Sequence, residues 1–440
     1  DGHLIRCRLK RAFQGGFTHA GAWYSGKLLK KVNSIDFTSS YPAVMVAEKF
    51  PMSRGKKVKI TDMDTFNRYL KFYCCVFNIE FTGLEATFPW EHNISASRCW
   101  VKEGVITDNG RLVSADRIVM TITGEDLQII QATYKYNTMA IGTMYIYQRG
   151  YLPTDFIKSI LKLYEDKTTL KNVPGKEIEY LQGKEMLNSC YGMTVTDIVR
   201  TEYPYDVDWM EPNEPDINEA INHYNRSKNR FLFYPWGVWV TAYARRNLWS
   251  GILNIKEDYI YSDTDSIKFI NLERHQQYIN DYNNMITSKL LKACEYHNIP
   301  ADTIKPKTVK GTEKPLGVWD YEGQYNRFKT LGAKRYMVEE NGEINITVSG
   351  LNKHVTVPYL KNEYGEDIFE AFNNNLYVPG EHTGKNTHTY IDTEKGGIIT
   401  DYTGRPGEWH ELSAVHMEPA EYSLSLAAEY VEFLLSLYEV

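Results

Sequence analysis

Asp263 and Asp265 flank a single threonine in Tyr261-Ser262-Asp263-Thr264-Asp265. The runs on either side, 258–261 and 266–270, read as strands. Side chains alternate faces along a strand, so a hairpin here would hold both acids at one exposed bend, where they repel unless a cation sits between them. Hard oxygen ligands suit Mg²⁺ or Mn²⁺, and phosphate oxygens commonly complete such a shell. The spacing points to a metal–nucleotide site. Taken alone it fits an ordinary acidic turn equally well, or a metal-dependent glycosyltransferase, which uses the same spacing to hold a nucleotide-sugar.

Two further segments could position a nucleotide. Val32, Ile35 and Phe37 read as a short strand that delivers Asp36 to its end. Pro42 suits the first turn of the helix that follows, which leaves Tyr41 at the strand-to-helix corner. Further on, Lys184, Asn188 and Tyr191 stand at i, i+4 and i+7, so a helix presents them as one stripe, and Gly192 is a natural stop. A cation, an amide and a ring on one face suit a triphosphate, a polar edge and a flat base. A preceding helix near 155–170 buries Ile157, Ile160, Leu161 and Tyr164 on one face, and Asn172-Val173-Pro174-Gly175 separates the two. The pair reads as an antiparallel helical hairpin.

In that order, Asp36-x-x-Ser39-x-Tyr41-Pro42, Lys184-x-x-x-Asn188-Ser189-x-Tyr191-Gly192 and Tyr261-x-Asp263-Thr264-Asp265-Ser266 resemble the three polymerase motifs of family B DNA polymerases. Lys334-Arg335-Tyr336 is similar to the Lys-x-Tyr element that follows them. Finer matches point to the protein-primed phage branch: Phe13-Gln14-Gly15-Gly16 resembles its Tyr-x-Gly-Gly element, and Thr241-Ala242-Tyr243-Ala244-Arg245 its primer-template element. Ser40 departs from the usual leucine, Phe13 from the usual tyrosine and Cys190 from a common leucine, and no catalytic carboxylate is missing.

The resemblance implies template-directed DNA synthesis with two Mg²⁺ (or Mn²⁺) ions. It makes Asp36 and Asp263 bridging ligands, helped by the Phe37 carbonyl, with Asp265 beside them orienting metal or water. Lys184 would meet the triphosphate, assisted by Lys167. Ser39, Tyr41, Asn188 and Tyr191 would line the nucleotide, Tyr41 lying under the sugar to exclude a 2′-hydroxyl. Gly15, Gly16, Thr241, Arg245, Thr264, Lys334 and Tyr336 would meet DNA, where donors grip phosphate irrespective of sequence. The implied partners are primer-template DNA, dNTPs, a terminal priming protein, and a separate exonuclease or missing N-terminal domain. Only 35 residues precede Asp36, so the polypeptide is expected to lack its own 3′–5′ exonuclease.

The fold expected is α+β, a right-hand polymerase. Residues 1–54 and 234–345 form the palm, an antiparallel sheet, and 151–192 the helical fingers. Residues 55–150 form a first insertion of the kind that contacts DNA and the priming protein, with a strand over 72–81 and a capping box at Thr123-Gly124-Glu125-Asp126. Residues 193–233 form a second insertion of the strand-displacement kind, and the acidic, Pro- and Asn-rich stretch 197–225 reads as a mobile loop or hairpin. Asn341-Gly342 marks a turn. Residues 346–440 hold the thumb and C-terminal region, with a helix from Pro419 carrying Leu424, Ala427, Val431, Leu434 and Leu435 on one face.

Bulk properties are compatible with this reading. The net charge of −6 hides a division: residues 361–440 carry four basic and fifteen acidic side chains, which leaves the first 360 residues at +5. A basic body suits DNA phosphates. Six cysteines without a Cys-x-x-Cys pattern fit a reducing compartment and speak against structural zinc. No apolar run approaches a membrane span, and the expected location is the cytoplasm, that of the host if the source is viral. A DNA-binding scaffold of the replication machinery without catalysis is the principal alternative. The glycosyltransferase reading leaves the Lys184 and Asp36 motifs unexplained.

Overall fold

The structure, a computed structural model, describes residues 2–199, 205–206, 208–209, 215–228, 233–390, 399–402, 409–412 and 415–424. Its centre is a seven-stranded antiparallel sheet. Across the sheet the strands run Thr18–Ala20, Tyr259–Asp263, Ser266–Phe269, Leu29–Phe37, Trp319–Gly332, Arg335–Glu340, Glu343–Val348. Alternation along the Leu29–Phe37 strand sends Ile35 and Phe37 into the main core, and Val32, Ser34 and Asp36 to the opposite face. Helices Ser40–Ala47, Tyr234–Ile255 and Leu272–His297 cover the apolar face with Val44, Met45, Trp249 and Ile286. Phe37 stacks on Trp319 with ring centroids 3.5 Å apart. The strand junction at Asn341-Gly342 has both residues at positive φ, 51° and 82°, which is the two-residue hairpin turn that matches sheet twist.

A second antiparallel sheet occupies the stretch expected to form the first insertion. Its strands lie in the order Lys56–Val58, Thr138–Tyr147, Cys74–Ala86, Arg111–Thr123, Val101–Glu103. It has its own core of Phe66, Phe77, Ile79, Phe81, Ile118 and Leu127. Phe72 ends helix Met63–Phe72 and is exposed, so the long strand starts at Cys74 rather than at 72. Thr123 and Asp126 form the expected reciprocal capping box on helix Gly124–Thr133. The two sheets meet at buried His19, whose Nδ1 lies 2.6 Å from Glu91 and whose Nε2 lies 3.2 Å from the Asp108 carbonyl, and His92 Nδ1 holds the Asp108 carboxylate at 2.9 Å. All six cysteines are free.

Helices Thr154–Leu170 and Glu177–Gly192 pack as the expected pair, joined through Gly175 at φ +76°. Within 197–225 the described residues hold a small hairpin, Tyr205–Asp206 with Asp208–Trp209. They also hold a helix that composition did not announce, Ile217–Arg226, capped by Asp216 accepting from the Glu219 N–H at 2.8 Å.

The helix expected from Pro419 is corrected. Val415–Pro419 pairs with Asn386–Tyr390, and Tyr422–Ser423 pairs with Tyr377–Val378. Leu424 is buried against a third core with Leu331, Met337 and Phe369. Strand pairing there takes the backbone groups that a helix would have needed. Ala427, Val431, Leu434 and Leu435 lie outside the described residues.

Candidate active site

Sheet register lines up a row of acids on the open face. Asp263 stands opposite Ser266, Ser266 opposite Asp36, and Asp36 opposite Asp320. Asp265 joins them from the hairpin turn. That turn is stitched in place: the Asp265 N–H donates to the Asp263 carbonyl at 2.6 Å, Phe37 N–H to the Asp265 carbonyl at 2.8 Å, and Thr264 N–H to the Phe17 carbonyl at 2.7 Å. Thr264 takes φ +61°, a left-handed conformation costly for a β-branched residue and therefore held by its surroundings.

The acids differ in their company. Asp263 is ion-paired with Lys334 and accepts the Thr18 hydroxyl at 2.9 Å, and Asp320 is paired with Lys314 at 2.6 Å. Asp36 and Asp265 make no ion pair among the described residues. Burial, then the charge of Asp265 and of Glu322, pushes the Asp36 carboxyl up to about 8. Burial, then Asp263, pushes Asp265 up to about 6. Two half-buried carboxylates whose repulsion the neighbouring lysines do not cancel are what a cation site looks like when its donors are all hard oxygens.

A mirror-image arrangement of cations stands beside them. Lys167 donates to Ser39 Oγ at 2.8 Å, and burial followed by the charges of Lys184 and Lys171 lowers its ammonium below the usual lysine range. Asp36 and Asp265 act on it in the opposite sense. Lys184 and Asn188 are exposed on the helix face. Tyr41 and Tyr191 meet with ring centroids 4.5 Å apart. Burial, then the Asp265 charge, pushes the Tyr41 hydroxyl up to about 12. The structure thus gathers Asp36, Ser39, Tyr41, Lys167, Lys184, Tyr191, Asp263 and Asp265 in one neighbourhood, while the Phe37 side chain is turned away into the main core.

A family model described as DNA polymerase type B, organellar and viral, matches residues 6–284. The chain belongs to that family. It is 24% identical over 336 residues to a DNA polymerase of Bacillus phage Nf, which covers 75% of this chain and 49% of that protein. The DNA polymerase of Bacillus phage phi29 is likewise 24% identical over 337 residues, with 75% and 49% covered, and that of Streptococcus phage Cp-1 is 21% identical, with 74% and 50% covered. The chain therefore spans about half the length of the curated relatives it matches. Among solved structures, phi29 DNA polymerase complexed with primer-template DNA and incoming nucleotide has the same fold, with a TM-score of 0.60 at 18% identity over 96% of this chain and 62% of that one.

Other motif residues of this type B chain fall differently from the sequence reading. Thr241 and Arg245, expected on DNA, are fully buried. The Thr241 hydroxyl returns to the Gly237 and Val238 carbonyls of its own helix. Arg245 holds Asp126 at 2.7 Å and donates to the carbonyls of Gln14 and Gly15. Its guanidinium is spent on fixing the Gly15-Gly16 loop, and has no face left for phosphate. That loop lies on the hairpin turn: a Cβ on Gly16 would stand 2.7 Å from Thr264 Cγ2, so only glycine lets it close. Lys334, at φ +57°, is turned to Asp263. Tyr336 packs at 5.0 Å from Tyr261 and stacks on Phe328 at 5.5 Å.

Sequence reasoning missed Glu322. It occupies a β-bulge, since Tyr321 pairs with Ile35 and Gly323 with Ser34, and the extra residue re-aims its carboxylate. Glu322 accepts from Ser34 Oγ at 2.7 Å and lies 3.5 Å from the Lys268 ammonium. It adds to the upward shifts of both Asp36 and Asp265. No motif marks a bulge, so only the register could reveal it.

Proposed function

We propose that this chain carries the polymerase portion of a protein-primed, phage-type DNA polymerase, adding dNTPs to a 3′-hydroxyl on a DNA template. One observation carries the reading: an unpaired, mutually repelling pair of carboxylates, Asp36 and Asp265, faces two mutually repelling lysines, Lys167 and Lys184. A divalent cation with a nucleoside triphosphate complements both halves at once, because the cation answers the acids and the phosphates answer the lysines.

On this reading the central sheet is the palm, the helical pair 151–192 the fingers, and the second sheet the first insertion. The segment after Val348 begins the thumb. Asp36 and Asp265, with the Phe37 carbonyl, would hold two Mg²⁺ ions, and bound metal of this kind lowers the barrier by activating the attacking hydroxyl and steadying the leaving pyrophosphate. Asp263 takes an outer place, since Lys334 already answers it; this reverses the order of the two acids expected from sequence. Lys167 and Lys184 grip the triphosphate, and the pKa of Lys167 returns upward as phosphate arrives. Tyr41, braced by Tyr191, forms the floor under the sugar and leaves no room for a 2′-hydroxyl. Arg245 acts at a distance, by fixing the Gly15-Gly16 loop that backs the hairpin. The partners are primer-template DNA, dNTPs and a terminal priming protein that meets the first insertion.

The test is extension of a labelled primer on a DNA template with dNTPs, with and without Mg²⁺. Metal-dependent, template-directed extension is the expected result. Firm primer-template binding without extension would overturn the catalytic reading in favour of a scaffolding one.

A further inference from the structure

At the far end of helix Ser40–Ala47 from Asp36, a recess of about 230 Å³ opens among segments distant in sequence. Eight residues of helix put it about 12 Å along the axis from the catalytic corner. Glu48, Lys49, Arg149, Tyr151, Arg246 and Lys292 are the lining residues that matter, with Glu125, Tyr243 and Lys289 beneath them.

The floor is electrically closed. Arg246 bridges Glu48 at 2.6 Å and Glu125 at 2.5 Å, and Lys289 reaches Glu48 at 2.6 Å. Two cations and two acids cancel there. The rim is different. Lys49, Arg149 and Lys292 all line the same recess, and among the described residues none has a carboxylate within salt-bridge distance. Arg149 is locked in place by donating to the carbonyls of Tyr73 at 3.0 Å, Lys71 at 3.4 Å and Leu70 at 3.5 Å, and its Nε is buried without a partner. The Lys49 ammonium stands over the Tyr151 ring at 5.4 Å, which fixes its direction while leaving its charge unanswered. Two ammoniums without carboxylate partners and a fixed guanidinium charge behind them, lining one concavity, are complementary to an oxyanion with several acceptor oxygens.

We propose that this recess binds a phosphate-class anion, at a site separate from the carboxylate face. The ligand chemistry is that of two linked phosphates, whether free as pyrophosphate or carried on a nucleic-acid strand. The inference stands on the recess itself and does not depend on the polymerase reading.

The experiment uses the full chain in metal-free buffer at low ionic strength. Calorimetric titration of inorganic pyrophosphate is compared among the wild type, the double variant Lys49→Ala/Lys292→Ala and, separately, Lys184→Ala. A fluorescent single-stranded oligonucleotide provides the second probe. Both substituted rim lysines are exposed, so the melting temperature should not move. The expected result is pyrophosphate binding weakened by about tenfold or more in the rim variant and retained in Lys184→Ala. Loss of affinity for both probes assigns strand phosphates as the ligand, and loss for pyrophosphate alone assigns the free anion. Absence of pyrophosphate binding in the wild type, or its loss only in Lys184→Ala, overturns the site.

Discussion

The two ends of helix Ser40–Ala47 are built from the same kinds of residue and arrive at opposite electrostatic states. At its C-terminal end, Glu48, Arg246, Glu125 and Lys289 close a network in which every charge has a partner within 2.6 Å. At its N-terminal end, Asp36 and Asp265 repel one another with no cation in salt-bridge range among the described residues. Burial alone would raise the Glu48 carboxyl, but Arg246 and Lys289 outweigh it and hold Glu48 below its ordinary value. Burial raises Asp36, and there the charges of Asp265 and Glu322 add to the effect against the smaller opposing influence of Lys268 and Lys167. The first arrangement is structural and the second is incomplete without something from solution. Charge balance, rather than charge density, separates a strut from a site.

The comparison breaks most sharply at the carboxylates. Asp36→Asn or Asp265→Asn should lower primer extension by about a thousandfold or more, while primer-template binding, followed by anisotropy, stays measurable. Extension within about tenfold of wild type in either variant would remove the pair from catalysis. The same substitutions should leave the fold intact or steadier, because each relieves a repulsion.

The opposite outcome is expected at the other end. Arg246→Met strands Glu125 in the interior and leaves Glu48 with Lys289 alone, and should cost about 3–5 kcal/mol in denaturant unfolding. A loss below about 1 kcal/mol would show that the network is solvated rather than buried.

Tyr41→Val tests the floor between these extremes. Removing the ring should relax selection against ribonucleotides by about 10–200-fold, as a change in relative kcat/KM for rNTP over dNTP, with total dNTP activity affected less. Unchanged sugar selectivity would contradict the steric assignment.

The smallest effect is the most diagnostic, because its sign differs between the two ends. Asp36 titrates at about 8 in the fold against an ordinary 3.8, so the native state holds the proton more tightly than the unfolded chain. Its contribution to stability is fullest below the ordinary value and is lost as pH rises towards 8. Glu48 is held below its ordinary 4.5, so its contribution is present above that value and is lost as pH falls through the lowered one. Melting temperature at pH 8 should therefore rise on addition of Mg²⁺ in the wild type and not in Asp36→Asn. An equal rise in both would place the ion elsewhere.

The part of the site carried by short contiguous motifs was legible. Asp36, Tyr41, Lys184, Tyr191 and the Asp263 hairpin sit on elements whose period and caps can be read directly, and each side chain's direction follows from its neighbours. Arg245 was misread because its helix, Tyr234–Ile255, is buried on nearly every side, and a sequence gives no sign that an arginine there is enclosed. Glu322 depends on a bulge, and the basic recess on five segments that meet only in space. From Pro419 onward the apolar spacing near Leu424 suits helix and strand alike, and long-range pairing of Tyr422–Ser423 with Tyr377–Val378 decides it for the described residues.

The strands Phe50–Pro51 and Arg149–Gly150 pair with each other, and the Met52 N–H donates to the Gln148 carbonyl at 2.8 Å. The chain therefore leaves the central body and re-enters it about 5 Å away, one strand spacing. Everything between is spliced in at a single socket. Exchanging such a stretch keeps the ends it grows from in register, but Cys74, Val76, Ile129, Tyr145 and Tyr147 belong to the main core and their packing would have to be rebuilt. Among the described residues three cations of the body, His19, Arg245 and Arg246, would lose the acidic partners Glu91, Asp126 and Glu125 that leave with the graft.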